Sequence, residues 1–215
     1  MRPVTCMVTA PTSPGAAARH ELLERIRAGA RAGLHLVHIR RPDLEGGALM
    51  LLVRDAVWAV RGTGARVLVN DRIDVALAAG AHGVHLRGSS VPAARVRPIV
   101  PSGFMIGRSV HALDEAVHAV QEGSLDYLMF GTVFGTASKP GAAPAGIDAL
   151  AAVCAAVPLP VLAIGGMTLE GLRAVGGTGA AGFAAIGLFA DGPPATLGPV
   201  VREAAQLFDT SAGVP

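Results

Sequence analysis

The sequence predicts an α/β fold, a (βα)8 TIM barrel formed as a single domain over residues 1–215, and three observations carry that prediction. An apolar run followed by a segment of helical spacing repeats eight times. Several of the runs are almost wholly apolar, as parallel strands covered on both faces must be. The last two runs end in small-residue turns, at the strand ends where a barrel of this kind carries its ligands.

The runs are Val4 to Thr9, Leu34 to Arg40, Arg66 to Asn70, Gly83 to Leu86, Phe104 to Arg108, Tyr127 to Phe130, Val161 to Ile164 and Phe183 to Ile186. Right-handed crossovers repeated between such runs close a sheet into a barrel. An open doubly wound sheet is the rival architecture. The first run, however, lacks the GxGxxG turn that such sheets use for dinucleotides.

Helix signals agree with this register. Leu113, Ala116, Val117 and Val120 form an apolar stripe, with Asp114 and Glu115 early in the helix, where its positive end favours acids. Thr168 is placed to cap a helix over Leu169 to Val175 that stops at Gly176 and Gly177.

At 215 residues the chain suits one domain with a sizeable core and no room for large insertions. Half of it is apolar, yet no run approaches the roughly 20 uninterrupted apolar residues of a membrane span, and the N-terminus lacks a signal core. A cytoplasmic protein without a membrane partner is the expectation. Cys6 and Cys154 have no metal or redox spacing and read as buried, reduced thiols. A net charge of +2, dispersed basic residues and few aromatics argue against nucleic acid as a partner. A homodimer stays open.

The strand ends hold the chemistry-bearing residues. Ala163-Ile164-Gly165-Gly166-Met167-Thr168 and Ala184-Ala185-Ile186-Gly187 each place a small-residue turn after an apolar strand. Glycines there expose backbone N–H groups, so Gly165, Gly166, Ile186 and Gly187 are expected to wrap one phosphate. Strand alternation puts His38 and Arg40 on one face, taken as the barrel interior, with Arg40 nearest the mouth. A guanidinium there either grips an anion or pairs with an internal acid.

Asn70-Asp71 ends the third run, and Asp71 binds a metal, orients a neighbouring His or Arg, or merely caps the next helix. His85 stands near the end of the fourth run and is kept as a candidate; His82, near its start, is not. Ser109 can donate to an oxyanion, while His111 reads better as a surface residue at a helix entry. The long stretch 132–146 after the sixth run reads as a mobile cover. In it Thr136, Ser138 and Lys139 offer hydroxyls and a cation for phosphate.

Assembled in order, these segments resemble the superfamily of thiamine phosphate synthases and thiazole tautomerases, small (βα)8 barrels. The likeness covers nearly the whole chain. It rests on VHIR at 37–40, VNDRIDVAL at 69–77, GVHL at 83–86, IGRSVHALDEA at 106–116, DYLMFGTVFGTASKPG at 126–141 and VLAIGGMT at 161–168.

In the synthase branch, the resemblance implies a pyrimidine pyrophosphate held by Gln, Arg and Lys after the second strand, Asn-Asp after the third and a further Asp after the fourth. The two aspartates bind Mg²⁺. Arg40, Asn70, Asp71, Ser109, Thr136 and Lys139 match that pattern, whereas His38 stands at the Gln position, Pro42 at the Lys position and Ser90 at the second Asp position. Losing a carboxylate and an ammonium together weakens a magnesium and pyrophosphate site.

The tautomerase branch shares HIR and IGRSVH, lacks the magnesium aspartates and needs no cofactor. The expectation is therefore a tautomerase acting on a small phosphorylated thiazole. Its implied general base is a His after the sixth strand, and Thr132 stands there instead, with no useful basicity. His38, His85 and His111 are the remaining imidazoles at strand ends, with His85 ranked first. The alternatives are the Mg²⁺-dependent synthase and a non-catalytic regulatory phosphate binder.

Overall fold

A computed structural model describes residues 3–9, 15–136 and 143–211. The strands are β1 (Val4–Val8), β2 (Leu36–Ile39), β3 (Arg66–Asn70), β4 (Gly83–Leu86), β5 (Met105–Val110), β6 (Tyr127–Phe130), β7 (Val161–Ile164) and β8 (Gly182–Ala185). Each pairs in parallel with the next, and β8 pairs with β1, so the sheet is a closed barrel and the open doubly wound alternative falls. The strands fall where the apolar runs predict them. The largest shifts are at β2, which starts at Leu36 rather than Leu34, and at β5, whose ladder runs on to Val110 rather than ending at Arg108.

Helices α1 (Ala16–Ala32), α2 (Gly46–Ala59), α3 (Ile73–Ala78), α4 (Ala93–Val96), α5 (Leu113–Glu122), α6 (Gly146–Ala156), α7 (Leu169–Gly176), α8 (Gly187–Ala190) and α9 (Leu197–Ser211) alternate with or follow the strands. Thr168 caps α7 as expected, its Oγ1 accepting from the Gly171 N–H at 3.1 Å. The stripe on α5 needs correction. Leu113 is 44% exposed, and burial begins only at Ala116 and Ala119, so α5 packs on the core from Ala116 onward.

Strand alternation separates two apolar layers. Val37, Ile39, Val67 and Val69 face outward into the layer shared with the helices. Cys6, Val8, Leu36, Leu68, Tyr127, Met129, Leu162 and Ala184 fill the barrel itself. The phenol ring of Tyr127 fits because its neighbour in register is Gly107, where an added Cβ would lie 2.1 Å from the ring. Burial pushes the Cys6 thiol up to about 12, so it stays protonated, and both cysteines are free. Among the described residues no helix is long and apolar enough to cross a membrane.

Two buried arginines fix loops at the C-terminal end of the barrel. Arg25 of α1 donates to the carbonyls of Phe189 at 3.2 Å and Gly192 at 2.6 Å, holding the turn after β8. Arg108 of β5 pairs with Glu122 at 2.8 Å and donates to the Val91 carbonyl at 2.7 Å, holding the loop after β4. A guanidinium that satisfies several carbonyls at once fixes a loop with few residues.

Candidate active site

A cavity of about 1300 Å³ opens at the C-terminal ends of the strands. It gathers His38, Arg40, Asn70, His85, Ser109, Thr132, Thr136, Gly165, Gly166, Ile186 and Gly187, eleven candidates drawn from seven strand ends. Lys139 and Ser138 lie outside the described residues, as does part of the stretch expected to form a cover.

The floor is a run of rings from β2, β4 and β6. His38 and His85 have centroids 4.7 Å apart, and His85 and Tyr127 5.6 Å apart. Nδ1 of His85 is 2.8 Å from the Tyr127 hydroxyl and Nε2 is 2.8 Å from Oγ of Ser109. A neutral imidazole has one N–H and one bare nitrogen, so His85 donates to one hydroxyl and accepts from the other. Burial, with His38 alongside, pushes the His85 pKa well below its ordinary value, and burial holds Tyr127 as a phenol.

His38 is 3% exposed, and neither ring nitrogen has a hydrogen-bond partner among the described residues. Burial first, then the charge of Arg40, lowers its pKa to about 4, with the nearby Asn70 side chain opposing. Both imidazoles are therefore uncharged near neutral pH. Arg40 lies exposed at the rim, in agreement with the alternation argument.

On the β7–β8 side, Gly165 (φ 105°) and Gly166 (φ 63°) turn the chain in a region that side chains rarely adopt. The N–H groups of Gly165, Gly166 and Ile186 donate to no backbone carbonyl among the described residues. An added Cβ at Gly165 would strike Thr132, and at Gly166 it would lie 2.4 Å from the Gly135 carbonyl. Gly166 thus also makes room for the β6 loop while lining the cavity. A Cβ at Gly187 meets nothing within 4 Å and would project into open space. Glu170 and Asp191 also line this side.

Asp71 does not line the cavity but stands behind its edge. It does not cap α3, whose N-cap is Arg72 and has no side-chain bond. Its backbone, at φ 60°, is held by the Asp71 N–H donating to the His85 carbonyl at 2.9 Å. Its carboxylate takes the guanidinium of Arg87 on one oxygen and the hydroxyl of Ser90 on the other. Ser90 in turn accepts from the Arg87 N–H at 3.0 Å.

Magnesium, which the resemblance implies for the synthase branch, asks for carboxylate and phosphate oxygens in near-octahedral order. Here the second carboxylate is replaced by Ser90, and an arginine is already on the first. Among the described residues no three His, Cys, Asp or Glu side chains gather to hold a metal. The donor set does not fit the ion.

His111 sits exposed at the rim, its N–H donating to Glu115 at 2.7 Å and its Nδ1 against the Gly131 carbonyl. Tyr127, Arg87 and Ser89 were missed as contributors to the site. The sequence signal for Tyr127 is the small Gly107 between it and His85 in the β4–β5–β6 register.

The cavity of this closed eight-stranded barrel is thus lined by glycine turns after β7 and β8 and by arginines above β2 and β4. Residues 6–189 match the family model described as thiamine monophosphate synthase, and the chain belongs to that family. It is 40% identical over 176 residues to a putative thiamine-phosphate synthase of Geobacter sulfurreducens, covering 81% of this chain and 82% of that one. It is 42% identical over 165 residues to the thiamine-phosphate synthase of Methanoculleus marisnigri, covering 74% and 76%. A solved structure, thiamine phosphate pyrophosphorylase from Pyrococcus furiosus, superposes with a TM-score of 0.82 at 26% identity, covering 98% and 97%.

These findings overturn the expected tautomerase. The relatives carry the synthase name, so the departures at His38, Pro42 and Ser90 do not place the chain in the other branch. The geometry agrees in one respect. His85, ranked first as the replacement base, has both ring nitrogens engaged and a lowered proton affinity.

Proposed function

We propose that the chain is a thiamine-phosphate synthase, joining a pyrimidine pyrophosphate to a thiazole phosphate. The observation that carries this reading is one large cavity with glycine turns at one edge, arginines at another and a floor of rings held uncharged by burial between them. The glycine turns after β7 and β8 offer backbone N–H groups to the single phosphate. Arg40, Asn70 and Ser109 face the diphosphate. Two flat heterocycles then meet above His38 and His85.

In the reaction, the bond from the pyrimidine's methylene carbon to a diphosphate oxygen breaks as the bond from that carbon to the thiazole nitrogen forms. The electron pair leaves with pyrophosphate, and the ring nitrogen becomes cationic. Arg40 stabilises the departing charge through paired N–H donors. Ser109, oriented by His85, donates to the same end. Because His38 and His85 stay neutral, the floor does not repel the cation forming above it.

Incubating the protein with both substrates and measuring thiamine phosphate and released pyrophosphate tests the reading. Stoichiometric formation of both is expected. Tight binding of both substrates without product contradicts it.

A further inference from the structure

We propose that Arg87 is a built-in cation that replaces a divalent metal at the diphosphate edge of the cavity, with Asp71 and Ser90 as its fixed holders. This rests on the synthase reading for the identity of the anion, but not for the geometry. Asp71 and Arg87 end adjacent strands, and the Asp71 carboxylate is shared between the Arg87 guanidinium and the Ser90 hydroxyl. Ser90 closes the unit, since its N–H donates to the Arg87 carbonyl at 3.1 Å and its Oγ accepts from the Arg87 N–H. The loop behind is anchored by Arg108 through Val91.

Arg87 lines the cavity beside Arg40 and Asn70, and its side chain is 64% exposed. A guanidinium has five N–H donors, and the carboxylate occupies one end of the fork. The other end is available to phosphate oxygens. A diphosphate ester brings about three negative charges, and Arg40 with Arg87 supplies two positive ones, one of them offset by the Asp71 carboxylate. Two acids at this edge would require a metal to admit the anion. One acid already paired with an arginine does not.

The test is isothermal titration of inorganic pyrophosphate into the full chain, in EDTA and in Mg²⁺. Binding no weaker in EDTA is expected, and Arg87→Gln should weaken binding in EDTA by about tenfold or more, the worth of a charged hydrogen bond. Arg87→Lys, which keeps the charge and loses the fork, should fall between. Binding that requires Mg²⁺, no binding in either condition, or an Arg87→Gln variant that binds as the parent does, each overturns the proposal.

Product formation from the two organic substrates separates this inference from the proposed function. Metal-free pyrophosphate binding without turnover sinks the synthase reading and leaves Arg87 its role. Turnover with strictly Mg²⁺-dependent pyrophosphate binding does the reverse.

Discussion

On the β7–β8 side the cavity mouth is lined by Gly165, Gly166, Ile186 and Gly187, whose main-chain N–H groups are proposed for the single phosphate, whereas on the β2–β4 side it is lined by the side chains of Arg40, Asn70 and Arg87. The first edge is shaped by backbone conformation, with φ of 105° and 63° at the glycine pair and Arg25 bracing the turn after β8. The second is shaped by ion pairing between neighbouring loops. A backbone edge depends on the absence of side chains, and a side-chain edge on their exact partners. The two should therefore fail under different substitutions.

The largest expected effect falls on the floor that the two edges share. His38 is neutral in the folded chain down to about pH 4, while in the unfolded chain it protonates near its ordinary value of 6.5. As pH falls the unfolded state takes up the proton first, so stability is fully present above about pH 7 and is lost from 6.5 towards 4. The loss from His38 amounts to about 3 kcal/mol by pH 4. Urea unfolding at several pH values checks this, and His38→Leu should flatten the slope; an unchanged slope speaks against a neutral floor.

Next is Arg40→Ala, which should weaken pyrophosphate about a hundredfold while changing thiazole phosphate affinity by less than about threefold. Equal losses for both ligands would merge the two edges into one. The glycine pair sharpens the contrast further. Gly166→Ala should lower stability by about 2 kcal/mol, because its Cβ meets the Gly135 carbonyl at a positive φ.

Gly187→Val has open space for its side chain and should leave the melting temperature unchanged. It should nonetheless weaken thiazole phosphate by about tenfold, by crowding the donors. Unaltered affinity in Gly187→Val would remove the phosphate from this edge.

The backbone edge was the more legible of the two in the sequence. Small-residue turns after apolar runs are local signals, and all four residues do line the cavity. The strands were legible for the same reason, since a parallel strand buried on both faces is a contiguous apolar run. Asp71, Arg87 and Ser90 belong to two loops, and nothing periodic links them. Their contact follows from β3 lying beside β4, which only the closed barrel establishes.

Tyr127 was hidden inside an apolar strand, and its hydroxyl acquires a role only because Gly107 leaves room for the ring. Leu113 misled because helical spacing reports a face, not how far along the helix the packing extends. The substituted positions His38, Pro42 and Ser90 say less about the branch than does the likeness of the whole chain.

The central claim is that two anions occupy opposite edges of one cavity at once. Titrating thiazole phosphate into protein already saturated with inorganic pyrophosphate tests it most directly. A full complement of thiazole phosphate should bind, with affinity within about threefold of that in the absence of pyrophosphate. Strict competition between the two, each displacing the other in proportion to its concentration, would contradict the account.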